Sequence, residues 1–479
     1  FLWIHYAPGC LRLCVVCRLI SCSAQRPPVE GLLLEALLAQ GVWQTIYPGP
    51  GSFTMALRST SGTYARSYNP ICSGRPGTNP SYAFLVKRGS SSNLLINFMG
   101  GGACWSGANC LGPSSTITYY PEVASLIPAT LAVGNQVIDQ GILNHNRSDN
   151  PFQTWNMVFV SYCSGDIHVG SADTVYADPQ TGVQSVIHHH GVDNTLSVLS
   201  YLQAQFPESS VSRVFITGQS AGGYGAIFNY PLIKEMYYSR QVDVLGDAAN
   251  GVLDVSDTGA AANQFQQTSS VNWNATASVP SWIPTINGQY LTLSIGDFYN
   301  RVATYYESGA TNPAPGKSRF AQYTAAYDGN QRFFFGVMRN SLKTPAKTYT
   351  TTDNMWGRTD GYDAQRLGSN PALNVSCNWN TQMRAQGTLA ATSPLYKRVV
   401  AAGSVHTISM SNSYYTTVIQ TAGGNVRLVD WYNSMLTGSG FADAICAHAG
   451  SKCAAPNTEE STPLNCTGQP GFNGAGDGW

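Results

Sequence analysis

The stretch Phe215 to Ala226, "FITGQSAGGYGA", decides how this chain is read. Its centre, Gly218-Gln219-Ser220-Ala221-Gly222, has the form G-x-S-x-G. With 48 glycines in 479 residues that pattern arises readily by chance, so the neighbours must decide. Before the serine, Val214-Phe215-Ile216-Thr217 reads as a strand. After it, "GGYGAIFNYPLIKEMYY" can continue as a helix. A serine on a sharp strand-to-helix turn needs tiny flanking residues, because a side chain there would collide with neighbouring backbone. Gly218 and Gly222 meet that need. The helix N-terminus also brings amide dipoles close to any negative charge that develops beside the serine. Ser220 therefore reads as a nucleophile on an elbow.

Working outward, short apolar strands alternate with helical stretches from about Val42 onward. "NLLINFMGGG" is a buried strand entering a glycine loop, and Met157 to Tyr162 is a second strand ending in a turn. In "GVDNTLSVLSYLQAQF", Val192, Leu196, Leu199 and Leu202 recur at helical spacing. This alternation predicts an α/β fold, α/β-hydrolase-like, with a mostly parallel central sheet flanked by helices. The segment 255–320 lacks a clean period and is expected to be a lid or insertion. Three regions follow: a signal-like, anchor or non-native segment at 1–41, an esterase-type domain at 42–443, and a Cys/Gly/Pro-rich extension at 444–479. In the first, Leu19-Ile20-Ser21-Cys22 resembles a lipoprotein cleavage box.

An acyl-transfer site needs more than a nucleophile. Donors for the oxyanion come from the amide after the serine, here Ala221, and from a glycine loop after an earlier strand. "NFMGGGACW" occupies that place about 120 residues upstream, which makes Gly101 and Gly102 the candidates. The acid and then the histidine follow the serine in this arrangement. Only His406 and His448 lie beyond Ser220, and His406 follows the apolar strand "RVVAAGSVH". For the acid, Asp328 ends the plausible strand Phe320 to Tyr327, with Asp254 the next candidate.

Composition narrows the classes. Charged residues are 11% of the chain, against about 25% in typical soluble proteins. Lys plus Arg and Asp plus Glu are 26 each, so the formal charge is zero and no basic surface points to nucleic acid. No apolar run reaches the roughly 18 residues of a spanning helix. Of 12 cysteines, eight lie in the body (Cys72, Cys104, Cys110, Cys163, Cys377, Cys446, Cys453 and Cys466), without the spacing of a zinc site. They read as disulfides of a secreted, extracellular or cell-envelope protein. Sequons stand at Asn146, Asn274, Asn374 and Asn465.

The motifs "MGGGACW", "SYCSGDIHVG", "HHHGVDN", "GQSAGGYGA", "AAYDGNQ" and "GSVHTI" occur in the order seen in the pectin acetylesterase family, which the chain resembles from about Val42 to Asp443. That family also includes the secreted carboxylesterase Notum. The resemblance implies nucleophile Ser220, acid Asp328 in a D-x-x-Q motif, base His406, and oxyanion donors Gly101, Gly102 and Ala221. It also implies a Cys104–Cys110 disulfide and no metal or organic cofactor. The plant-type loop G-G-G-W-C reads Gly100-Gly101-Gly102-Ala103-Cys104 here, with Trp105 displaced by one. The expected substrate is an acetylated polysaccharide such as pectin, met by a monomer with Trp105 as an aromatic wall. The loop Ser164-Gly165-Asp166-Ile167-His168 is polar, so Asp166 and His168 are expected to contact sugar hydroxyls and to favour short acyl groups. The alternatives are a long-chain acyl-protein esterase of the Notum kind, another lipase or peptidase with the same triad, and a catalytically silent carbohydrate-binding homologue.

Overall fold

The computed structural model describes residues 41–113, 117–123, 138–252, 270–287, 294–307, 317–335, 375–446 and 453, all within the unit Gly41–Trp479. A nine-stranded sheet organises it. In chain order the strands are β1 (Trp43–Ile46), β2 (Phe84–Lys87), β3 (Leu94–Phe98), β4 (Asn156–Val160) and β5 (Arg213–Gln219). They continue as β6 (Gln241–Asp247), β7 (Phe320–Ala325), β8 (Tyr396–Ala401) and β9 (Ala444–Ile445). Their spatial order is β1-β2-β4-β3-β5-β6-β7-β8-β9. Only β2 runs against the others; every pair from β4 to β9 is parallel. This is the mostly parallel α/β sheet the sequence predicts.

A parallel sheet is covered on both faces, so its strands read as unbroken apolar runs rather than alternating ones. β3 (LLINF), β4 (NMVFV) and β7 (FAQYTA) are buried at every position. Helix α1 (Gly191–Gln205) buries Val192, Leu196, Leu199 and Leu202, the residues whose spacing announced it. Helix α2 (Ala221–Met236) follows β5 and packs on β5 and β6. Among the described parts of 255–320, Trp273 is buried, and α3 (Ile295–Glu307) packs on α4 (Val375–Ala390). The extension expected from residue 444 starts inside the sheet, since β9 pairs with β8. Disulfides join Cys72 to Cys163, Cys104 to Cys110 and Cys446 to Cys453, the second as the family resemblance implied. No helix among the described residues is long and apolar enough to cross a membrane.

The elbow shows why glycine flanks the serine. A Cβ on Gly222 would lie inside the contact radius of the Phe98 carbonyl, and one on Gly218 would strike the Gly222 carbonyl. Both obstacles are backbone, which cannot rotate away. We therefore expect Gly222→Ala to part β3 from the start of α2. Its cost is at least that of overpacking a core, about 1–3 kcal/mol, seen as a lowered melting temperature. An unchanged melting temperature would mean that this close approach is not held in solution.

Candidate active site

The site residues sit at the C-terminal ends of parallel strands, the edge where α/β sheets bind ligands. β3 leads to Gly100–Gly102, β5 to Ser220, β6 to Asp247, β7 to Asp328 and β8 to His406. Ser220 has φ 56° and ψ −122°, a conformation that non-glycine residues avoid and that active sites retain. The strand behind it and the helix ahead force this turn.

His406 Nδ1 lies 2.8 and 2.9 Å from the two oxygens of Asp328, whose side chain is wholly buried. Nδ1–H donates to the carboxylate, which leaves Nε2 as the proton acceptor. Asp328 is itself held by Gln331, whose amide N–H donates to Oδ1 (2.8 Å) and whose Nε2 donates to Oδ2 (3.1 Å). That is the physical content of the D-x-x-Q spacing. Gln331 also accepts from the Asn250 amide at 2.9 Å, which ties the acid's loop to the end of β6. Asp254 and His448, the rival acid and base, lie outside the described residues.

The glycine loop adjoins the serine: a Cβ on Gly100 would lie 3.3 Å from Ser220 Cβ. Gly101 and Gly102 have φ 149° and 74°, which turn the backbone in a way a side chain would oppose. Their carbonyls are occupied, Gly101 O by the Tyr120 amide and Gly102 O by the Tyr162 hydroxyl. Among the described residues, the amides of Gly101, Gly102 and Ala221 have no protein acceptor. Such amides can serve an oxyanion.

Asp247, one of the aspartates between Ser220 and His406 in the chain, takes a different place from the acid. Its carbonyl accepts the Ser220 amide at 2.8 Å. Its Oδ2 accepts the amides of Ile408 (3.0 Å) and Ser409 (2.8 Å) and the Ser409 hydroxyl (2.5 Å). One buried residue thus holds the serine turn with its backbone and the His406 loop with its side chain. Burial pushes the Asp247 carboxyl up, against those hydrogen bonds and the charge of His406. Gln219 adds a second tie, donating to Asn97 Oδ1 (2.8 Å) and Ser409 Oγ (2.9 Å).

The residues expected to touch substrate are placed differently. Trp105 is buried in an apolar cluster with Val169 and Trp273, its ring 6.4 Å from Phe334. The ring beside Gly102 is Phe334, while the Trp105 expected there lies buried beneath. Asp166 and His168 correct the expectation, because both are buried and turned inward. Asp166 accepts from Ser164 Oγ and from the amides of His168 and Gly191, at the N-terminus of α1. His168 has φ 65°, packs on Tyr162 and Phe98, and its Nε2 donates to the Met99 carbonyl at 2.9 Å. Burial brings its pKa down to about 4, so it is neutral. Both support the loop beneath the site and offer no surface to a sugar.

Comparison with known proteins follows from this geometry. Residues 65–279 match the pectinacetylesterase family model. The family resemblance read from the motifs stands. Pectin acetylesterase 11 of Arabidopsis thaliana is 28% identical over 160 residues, which is 33% of this chain and 37% of that protein. A palmitoleoyl-protein carboxylesterase of Xenopus laevis, notum1, is 26% identical over 194 residues, 40% of this chain and 35% of that protein. The chain thus spans about a third of the length of these curated relatives. The Wnt deacylase Notum from Drosophila superposes with a TM-score of 0.45 at 14% identity, over 84% of this chain and 97% of the other.

Asp247 yields a test. Asp247→Ala strands three donors, at about 1–3 kcal/mol for each one left buried and unpaired. It should lower the melting temperature and slow the labelling of Ser220 by a fluorophosphonate. Asp247→Asn keeps an acceptor oxygen at Oδ2 and should retain most of both. If the Asn variant is as damaged as the Ala variant, charge and not acceptor geometry is what the loop uses.

Proposed function

We propose that this protein is a serine carboxylic ester hydrolase that removes acetyl or other short acyl groups from a polysaccharide such as pectin. The reading rests on one observation above all: a histidine bonded to a buried aspartate, on the loop that Asp247 fastens to a strained serine turn. In the proposed mechanism His406 Nε2 takes the proton of Ser220 as its Oγ attacks the ester carbonyl. Asp328 fixes the imidazole tautomer and stabilises the charge that His406 acquires. The amides of Gly101, Gly102 and Ala221 stabilise the tetrahedral oxyanion. The intermediate collapses, His406 gives its proton to the departing sugar oxygen, and an acetyl-Ser220 ester remains. Water, deprotonated by His406, then releases acetate.

The polysaccharide substrate is supported by the pectinacetylesterase match and by the pectin acetylesterase relative. A second reading, hydrolysis of a long acyl ester, is favoured by one feature: the half-buried, apolar Phe334 ring beside Gly102. With Asp166 and His168 turned inward, the polar loop no longer argues for short chains. Three disulfides among the described residues support an oxidising compartment, outside the cell or in its envelope.

Hydrolysis of p-nitrophenyl esters of increasing length, together with acetate release from acetylated pectin, separates the two. We expect kcat/KM to fall steadily beyond short acyl chains; a steady climb with length selects the long-chain reading. Ser220→Ala, His406→Ala and their double variant should each lose several orders of magnitude with the fold intact. Because such residues act as a unit, the double should be little worse than either single. Near-normal turnover of Ser220→Ala would end the serine mechanism.

A further inference from the structure

The run His188-His189-His190 is not used by the proposed chemistry. It closes a hairpin, Ala172–Ala177 paired with Gln184–His189, that leads directly into α1. Side chains alternate along a strand, so the middle histidine must part from its neighbours. His189 is indeed fully buried, bonded to the Ser164 carbonyl and the Tyr176 hydroxyl. His188 and His190 share the other face. There the register puts Asp173 directly opposite His188.

The three side chains converge on one point. His188 Nδ1 is 2.6 Å and His190 Nε2 is 3.0 Å from the same oxygen, Asp173 Oδ1. Each residue offers one ligand atom, and these atoms all lie within 4.8 Å of one another. Zinc bonds of about 2.0–2.2 Å set tetrahedral ligand atoms roughly 3.3 Å apart, so the two histidine nitrogens, at 2.6 and 3.0 Å from Asp173 Oδ1, must draw back from it to admit an ion. His190 is also oriented from behind. Its Nδ1 lies 3.1 Å from the Asn69 carbonyl and 3.3 Å from Asp193 Oδ2, which fixes the proton on Nδ1 and points the Nε2 lone pair at Asp173. That second tie, an imidazole N–H to a carbonyl or carboxylate, is the usual support of a metal-bound histidine.

We propose that His188, His190 and Asp173 bind a zinc-type divalent transition-metal ion. Two imidazoles and a carboxylate are borderline donors that suit Zn²⁺ and its neighbours, whereas Ca²⁺ and Mg²⁺ require oxygen. The remaining positions face solvent, Asp173 being 58% exposed, and water fills them. The carboxylates of Asp173 and Asp193, on either side of His190, give the site a negative field. Arg66 lies 3.6 Å from Asp193 and offsets part of that negative field, while Asp173 is left to the two histidines. The ion would clip the hairpin to the start of α1, the helix whose first amide Asp166 accepts.

The test uses the full chain, stripped with EDTA and titrated near neutral pH with ZnCl₂ by calorimetry, and with CoCl₂ by visible absorption. We expect one equivalent of Zn²⁺ to bind, a Co²⁺ spectrum with ligand-field bands, and a rise in melting temperature with free zinc, as binding to the folded state requires. The double variant His188→Ala/His190→Ala should weaken binding roughly tenfold or more and remove the Co²⁺ bands. Asp173→Asn, an exposed change that does not threaten the fold, should weaken it as well. Absence of stoichiometric binding, or a Zn²⁺ equivalent that survives in the double variant, overturns the proposal.

Discussion

Asp247 is where the two halves of the site meet. Ser220 follows β5 and His406 lies on a loop after β8, some 186 residues later in the chain. Sheet pairing alone does not join them, because two strands lie between β5 and β8 in the sheet. Asp247 ends the neighbouring strand β6 and faces both ways. Its carbonyl fixes the Ser220 amide, and its carboxylate gathers three donors of the Ile408–Ser409 segment. A buried carboxylate is costly unless its lone pairs are used. Here Oδ2 takes all three bonds while Oδ1 is buried without a partner among the described residues, and burial pushes the carboxyl's pKa up against those bonds. The arrangement also explains why the elbow can be strained: the conformation of Ser220 is over-determined by the strand, the helix and this clasp.

Gln331 and Gln219 extend the same logic. Gln331 fills both oxygens of Asp328 on the side away from His406 and reaches to Asn250, just past Asp247. Gln219 spans Asn97 of β3 and Ser409 of the histidine loop. Asp328, His406 and Ser220 are therefore held by side-chain amides and a carboxylate that touch one another's loops. Each is a bond of 2.8–3.1 Å between buried groups, so the strand ends that carry them are fastened together.

How much of this could be read from the residues differs by distance along the chain. The elbow, α1 and the buried strands β3, β4 and β7 follow from patterns a few residues long, in which apolar runs and glycines speak for themselves. Chain order and strand-end position picked out His406 from two histidines and narrowed the acids, with the motif resemblance bringing Asp328 forward. Asp247 carried no such signal, because its partners lie 161 and 162 residues away and its neighbours in sequence look like any strand end. Asp166 and His168 misled for a physical reason. Gly165, Ile167 and His168 all take positive φ, and that tight turn folds Asp166 and His168 inward, where Gly191, Ser164 and Met99 satisfy them. Polar loop residues at the edge of a sheet read as ligand contacts unless the turn that buries them is known.

The glycine loop is fastened through its carbonyls. On one side its backbone is pinned: Gly101 O and Gly102 O accept from Tyr120 and Tyr162, and the Ala103 amide donates to Thr118 O at 3.1 Å. Just beyond, the Cys104–Cys110 bond and the Trp273 indole, which donates to Cys104 O at 2.8 Å, hold the chain from the rear. The amides of Gly101 and Gly102 are left over by this pinning. Unpaired N–H groups cost free energy in a resting protein, about 1–3 kcal/mol each where they are buried. In the proposed mechanism that cost is recovered when an oxyanion forms, since donors already in place need no reorganisation, and one such donor is worth about 2.7–4 kcal/mol of barrier in a related chemistry. Under that proposal a loop with its carbonyls tied and its amides open favours the transition state. The glycines are needed because only residues without a Cβ let the carbonyl side close so tightly while the amide side stays clear.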